Sequence, residues 1–189
     1  SPLAAEVDEA YERVCDVARG AALMTGTRLE IEEGIRYLNV IPNRTLEAVM
    51  QSRLEQLGVP EVTGEELEAA RAIRATFTEA ERNRYEVPGN EGAALCTRFA
   101  PPRSAADLRL ASTDVGDVSW ITPTVQYRGA VWAMGTQAHT WQAVAQGKSS
   151  FAHKGMLCAA KVMAATAVAL YEDGELLTRA RQELTEVLK

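Results

Sequence analysis

Between about Ala152 and Tyr171 the chain carries an apolar stretch in which Met156, Ala160, Met163, Ala164, Ala167 and Leu170 recur at helical spacing. A helix this apolar has to be covered, so it reads as core, and its Met and Ala stripe as packing rather than a cofactor box. At 189 residues, 47% hydrophobic and 24% charged, the chain is long enough to bury such a core as one ordinary domain or two small ones. No apolar run is expected to reach the length that spans a bilayer.

The formal charge of -6 argues against a nucleic-acid or anionic-membrane surface, because both need clustered Lys and Arg to displace counterions. Cys15, Cys96 and Cys158 are odd in number and lack CxxC spacing, which fits reduced thiols rather than a disulfide framework. The start, Ser1-Pro2-Leu3, lacks the basic-then-apolar order of a signal peptide and has no methionine, which suits a processed chain or a fragment. A soluble, cytoplasmic protein is the expectation.

Along the chain, Val7, Ala10, Tyr11, Val14 and Val17 predict a helix over 3–19 with one face packed inward and Gly20 as its stop. Residues 28–31 and 35–38 alternate polar and apolar around Glu33-Gly34 and predict one or two strands. Pro42-Asn43 breaks that pattern, and Asn43 suits the cap of a second helix that Gly58 ends. A boundary near residue 42 separates 1–41 from 42–189. Thr63 and Glu66 have capping-box spacing before an acidic helix to about Phe77, and Thr78 can start a short turn. Residues 83–104 read as a long loop, and 108–111, 118–122, 125–127 and 130–134 as short β-prone runs at a sheet edge. After the apolar helix, Gly174 precedes a charged amphipathic helix over 175–188. The expected class is therefore α/β or α+β.

Chemistry-bearing residues gather in STDVGDVSW (112–120), AHTWQ (138–142) and SSFAHKGM (149–156), which hold both of the chain's histidines. Asp114 and Asp117, in a Gly-containing loop, suit substrate orientation or support of a metal site, and equally suit Asx-type turns. His153 falls at the first turn of the apolar helix, where the dipole disfavours the protonated imidazole and leaves it ready for a metal; a backbone-bonded structural histidine suits the same place. His139, beside Trp141, suits a hydrogen bond to a substrate carboxylate or carbonyl, or a plain loop position. GxGxxG, GxxxxGK[ST], HExxH and GxSxG are all absent, which removes the dinucleotide, P-loop, zincin and esterase readings.

ASTDVGDVSWITPTVQ (111–126) and AHTWQAVAQGKSSFAHKGMLCAAKVMAATA (138–167) resemble the C-terminal part of the dinuclear-metal amidohydrolase and peptidase family, relatives of carboxypeptidase G and aminoacylase. Within it they are most similar to the aminobenzoyl-glutamate hydrolase group. AALMTGTRLEIEEGIRYLNVIPNRTLEAVMQSRLEQLG (21–58) resembles the passage from that group's inserted lid, or dimerisation, domain back to its catalytic domain. The resemblance implies an α/β fold: 1–41 as the end of an α+β lid domain, and 42–189 as the C-terminal half of a zinc-peptidase-like catalytic domain, helices on a mixed sheet. It implies two divalent metal ions, usually zinc, with manganese or cobalt as alternatives, and hydrolysis of the amide of aminobenzoyl-glutamate or similar acyl-amino acids and dipeptides. Metal-bound water of lowered pKa would attack a polarised carbonyl while a Glu moves the proton. By the same resemblance His153 matches the last metal ligand, and Ser112, Thr113, Asp114, Asp117 and His139 line the substrate pocket.

The family's HxD-type ligand motif, its Glu-Glu pair with the general base and its intermediate ligand have no counterpart here, so no catalytic residue is assigned in this chain. The expectation is a C-terminal portion, inactive alone and binding metal weakly or not at all, in a homodimer or with an N-terminal half or subunit. The alternative is a non-catalytic subunit or self-associating structural domain that completes a site with another chain. No nucleic acid and no membrane are expected as partners.

Overall fold

The computed structural model describes residues 3–83, 87, 89–99 and 113–189; Ser112 and the β-prone run 108–111 lie outside them, as does part of the 83–104 loop. Eight helices occur among the described residues: α1 (Ala4–Thr25), α2 (Arg44–Leu57), α3 (Gly64–Ala75), α4 (Glu79–Asn83), α5 (Val115–Ser119), α6 (Trp141–Gln146), α7 (Ser150–Glu172) and α8 (Gly174–Val187).

Local signals explain most of their limits. α2 stops where Gly58 takes φ +77 and its N–H returns to Leu54 O at 3.0 Å. α3 opens with a capping box: Thr63 Oγ1 accepts from Glu66 N at 3.2 Å, and Glu66 Oε2 accepts from Thr63 N at 2.8 Å. α7 is capped by Ser149, whose Oγ accepts from Ala152 N at 3.1 Å. α1 runs through Gly20, against expectation, and ends at Gly26 in the left-handed region at φ +66. One interior glycine costs only about 1 kcal/mol against alanine, too little to stop a helix, whereas a left-handed residue does stop one.

The expected mixed sheet is overturned. Among the described residues there is no strand, either in the expected lid portion or in the catalytic portion. Residues 118–122 are the end of α5 and the turn after it, and 28–31, 35–38, 125–127 and 130–134 are irregular. A strand exists only if a neighbouring strand takes its backbone groups, and here other partners take them. Leu38 N–H donates to Asp117 Oδ1 and Ile41 N–H to Ser119 Oγ, each at 2.9 Å; Ala133 N–H donates to Gln146 Oε1 at 2.7 Å. β-propensity without a ladder leaves irregular chain.

The chain divides into two compact units. The first comprises α1, the segment to Asn43, α5 with its flanks, and the chain from Ala180 onward. The face of α1 expected to pack inward is largely uncovered: Val14 is 65% and Val17 73% exposed, and Cys15 is its one buried residue. The second unit comprises α2, α3, α4, α6, α7 and the segments between them. One core there joins Ala70 of α3, Leu95, Ala133 and Phe151 of α7, flanked by Val62, Leu67 and Ile73. Another joins Met50 of α2 to Cys158 and the fully buried Val162 of α7, with Leu54, Val125 and Tyr127 against them. Burial pushes the Tyr127 phenol up. All three cysteines are free.

α7 is the central element of this unit and departs from expectation, being long and apolar enough to cross a membrane by length and composition. Phe151, Gly155, Cys158, Val162, Thr166 and Ala169 are buried along one stripe, as in a core helix, while Met156, Leu157, Met163, Val168 and Tyr171 are exposed. Gly155 is where the irregular chain crosses that stripe: a Cβ there would lie 2.3 Å from Ala130 O and 2.8 Å from Val131 Cγ1. Gly155→Ala should therefore destabilise despite a helix-propensity gain of about 1 kcal/mol, since overpacking costs ~1–3 kcal/mol or more against backbone. Urea unfolding checks the sign; a variant at least as stable as the parent would refute the close approach.

Candidate functional site

The residues singled out in the sequence fall on both units. In the first, STDVGDVSW acts on its own fold. Thr113 Oγ1 accepts from Val115 N at 3.3 Å and lies 3.5 Å from Asp114 Oδ1; Asp114 is exposed and does not cap α5. Asp117 holds Leu38 N–H, Ser119 Oγ holds Ile41 N–H while donating to Gly116 O at 2.6 Å, and Trp120 Nε1 donates to Asn39 O at 2.9 Å. Gly116 makes this possible, because a Cβ there would sit 1.9 Å from Leu38 O. Two side chains on α5 and that of Trp120, the residue after it, thus fasten residues 38–41. Asn39 Oδ1 in turn accepts from Ala4 N at 3.2 Å, and Asn43, expected as a cap, donates from Nδ2 to Ala180 O of α8 at 2.9 Å.

In the second unit, His139 is exposed at φ +62 immediately before α6, a conformation that costs most residues energy and that His adopts more readily than most. Its neighbour Thr140 caps α6, accepting from Ala143 N at 3.3 Å and donating to Gln137 O at 2.8 Å. His153 lies on the first turn of α7, its backbone N–H bonded to Ser149 O at 3.1 Å and its side chain exposed. Neither imidazole has a protein partner among the described residues. Each is open to a ligand from outside the chain.

The groups around His153 carry a signal that sequence reading missed. Glu66, 7% exposed, receives Ser150 Oγ at 2.6 Å and Lys154 Nζ at 2.9 Å as well as Thr63 N–H, and Lys154 Nζ also donates to Glu61 O at 2.9 Å. The Ser150 hydroxyl first, then the Thr63 N–H and Lys154, hold the Glu66 carboxyl down at about 2. Capping-box spacing pointed to Glu66, but only as a local cap. Gln146, also buried, holds the 133–136 turn by accepting from Ala133 N and donating to Thr136 Oγ1 at 3.1 Å.

The residues present do not by themselves fit a two-metal site. Among the described residues no three His, Cys, Asp or Glu side chains are gathered to hold an ion, whereas such a site needs several fixed ligands and an open position. His153 offers one imidazole.

The chain is 42% identical, over 99% of its length, to a p-aminobenzoyl-glutamate hydrolase subunit of Escherichia coli (strain K12). It is a close relative of part of that protein. The match spans 42% of the E. coli protein's length, less than half of it. No family model matches the chain, and no solved structure matches it.

Two outcomes test this geometry. The folded carboxyl of Glu66 lies below the usual 4.5, so its stabilisation is complete above that value and is lost as pH falls through about 2. Stability should decline across that window in the parent and far less in Glu66→Gln, which is also less stable at neutral pH; denaturant melts at a series of pH values decide. In the first unit, Ser119→Ala strands the Ile41 N–H and should cost about 1–3 kcal/mol. Unchanged unfolding of that variant would show that the Ser119 bond holds nothing.

Proposed function

We propose that this chain is the C-terminal portion of an amidohydrolase that cleaves the amide bond of p-aminobenzoyl-glutamate or a similar acyl-amino acid, and that it is inactive alone. The observation that carries the reading is 42% identity sustained over 99% of the chain to a protein named for that hydrolysis. The open imidazole of His153 supports a role as one ligand in a metal centre whose other ligands, and whose general base, belong to polypeptide outside this chain. The Glu66–Lys154 bridge and the Ser149 cap position that histidine without touching it.

A specific observation also favours a partner. α1 and α7 each keep an apolar face uncovered, with Val14, Val17 and Met24 on one and Met156, Met163, Val168 and Tyr171 on the other. Exposed apolar patches on soluble proteins mark surfaces that another chain covers. The covering polypeptide is either the N-terminal portion of the same enzyme or a second subunit that completes the site.

The test is a chimera in which this chain replaces the matching stretch of the E. coli protein, assayed for release of p-aminobenzoate. The chimera should be active and the chain alone inactive. His153→Ala in the chimera should lower kcat/KM by at least ~100-fold, the upper range for losing even a group that merely supports a metal ligand. A folded chimera without activity would sink the hydrolase reading, and an active one indifferent to His153→Ala would remove His153 from the site.

A further inference from the structure

The second unit contains a cavity of about 830 Å3 between α3, the segment 59–62 and the turn at 92–97. That volume lies within the range that holds small organic ligands. Its apolar walls include the partly buried Val62 and Leu67, and three guanidinium groups line it: Arg71 and Arg74 from α3 and Arg82 from α4.

The three arginines are not equivalent. Arg71 Nη1 is paired with Glu68 Oε1 at 2.5 Å, and its charge is matched. Arg74 and Arg82 are held by neutral acceptors: Arg74 Nη1 donates to Met134 O at 2.8 Å, and Arg82 donates from Nε and Nη2 to Phe77 O at 3.2 and 3.0 Å. Neither forms an ion pair among the described residues. Carbonyl oxygens fix a guanidinium in place without cancelling its charge, and they leave the remaining N–H donors of its planar fork unused. Glu61 is the single acidic residue among the described residues of the lining, so the cavity is locally cationic in a chain whose net charge is -6.

The geometry points to a binding site for a small organic carboxylate with an apolar body. The anion is taken by the free donors of Arg74 and Arg82, where charge-assisted hydrogen bonds to carboxylates are strong and directional. The body lies against Val62 and Leu67. This assignment stands apart from amide hydrolysis, which neither the ligand class nor the arginines require.

The experiment is a calorimetric titration of the chain with 3-phenylpropionate, which has no amide to cleave, and with its neutral counterpart 3-phenylpropanamide. The acid should bind saturably and more weakly as salt is added, and the amide at least about tenfold more weakly, the order of a charge-assisted bond. Arg74→Gln and Arg82→Gln should each weaken the acid about five- to tenfold while Arg71→Gln, whose charge is already matched, has a smaller effect. Acid and amide binding equally, or folded Arg74→Gln and Arg82→Gln variants both binding like the parent, would overturn the proposal. The acid-against-amide comparison needs no variant, so it decides the matter even if loss of the bonds to Met134 O or Phe77 O unfolds the protein.

Discussion

Three donors converge on the Glu66 carboxylate: the N–H of Thr63, which caps α3, and from α7 Ser150 and Lys154, 84 and 88 residues beyond Glu66 along the chain. A buried carboxylate is tolerated only when its charge and its lone pairs are answered, and here an N–H, a hydroxyl and an ammonium answer them. The consequence is geometric: the start of α7 cannot move relative to the start of α3 without leaving a charge unpaired. Within AHKG each residue then has its own task. Ala152 takes the Ser149 cap, His153 faces solvent, Lys154 closes the bridge, and Gly155 lets the carbonyl of Ala130 approach. The exposed imidazole is thus set on a turn fixed by groups on both sides of it.

STDVGDVSW illustrates how a chemically suggestive run can be occupied with structure. Its hydroxyl and carboxylate oxygens from Asp117 and Ser119 are bonded to the backbone of 38 and 41, and its indole N–H to the carbonyl of 39. Asp117 is therefore committed, and Asp114, exposed and without a capping bond, is the carboxylate in this run left with a free face. The two histidines belong to the other unit, His139 just before α6 and His153 on the first turn of α7.

What could be read from the sequence was what local chemistry decides. Helical spacing at 152–171, the Thr63–Glu66 box and Gly58 each act within a few residues, and the helices they predict are present. The β-prone runs among the described residues form no strand because alternation and branched side chains state a preference, while a strand is a pairing between distant segments. No local feature announces that Gln146 will take the N–H of Ala133, or that Ser119 will take that of Ile41. The histidine on α7 was visible because it depends on a helix start; the Glu66–Lys154 bridge and the arginine cavity were not, because both are made by packing.

α7 also explains why a single chain of this composition leaves so much apolar surface in view. Its buried stripe, from Phe151 through Cys158 and Val162 to Ala169, uses one side of the helix, and Met156, Met163 and Tyr171 stay exposed on the other. A helix that is apolar on nearly all sides is at its most stable when enclosed, so the proposed covering polypeptide would gain roughly 25 cal/mol for each square ångström it removes from water. That gain needs no rearrangement of the bonds at Glu66 and Ser149 or of the close approach at Gly155, which are already made. The face that holds α7 in the unit and the face that would hold a partner are therefore energetically separable: changes at Met156 or Met163 would weaken assembly while leaving the placement of His153 intact.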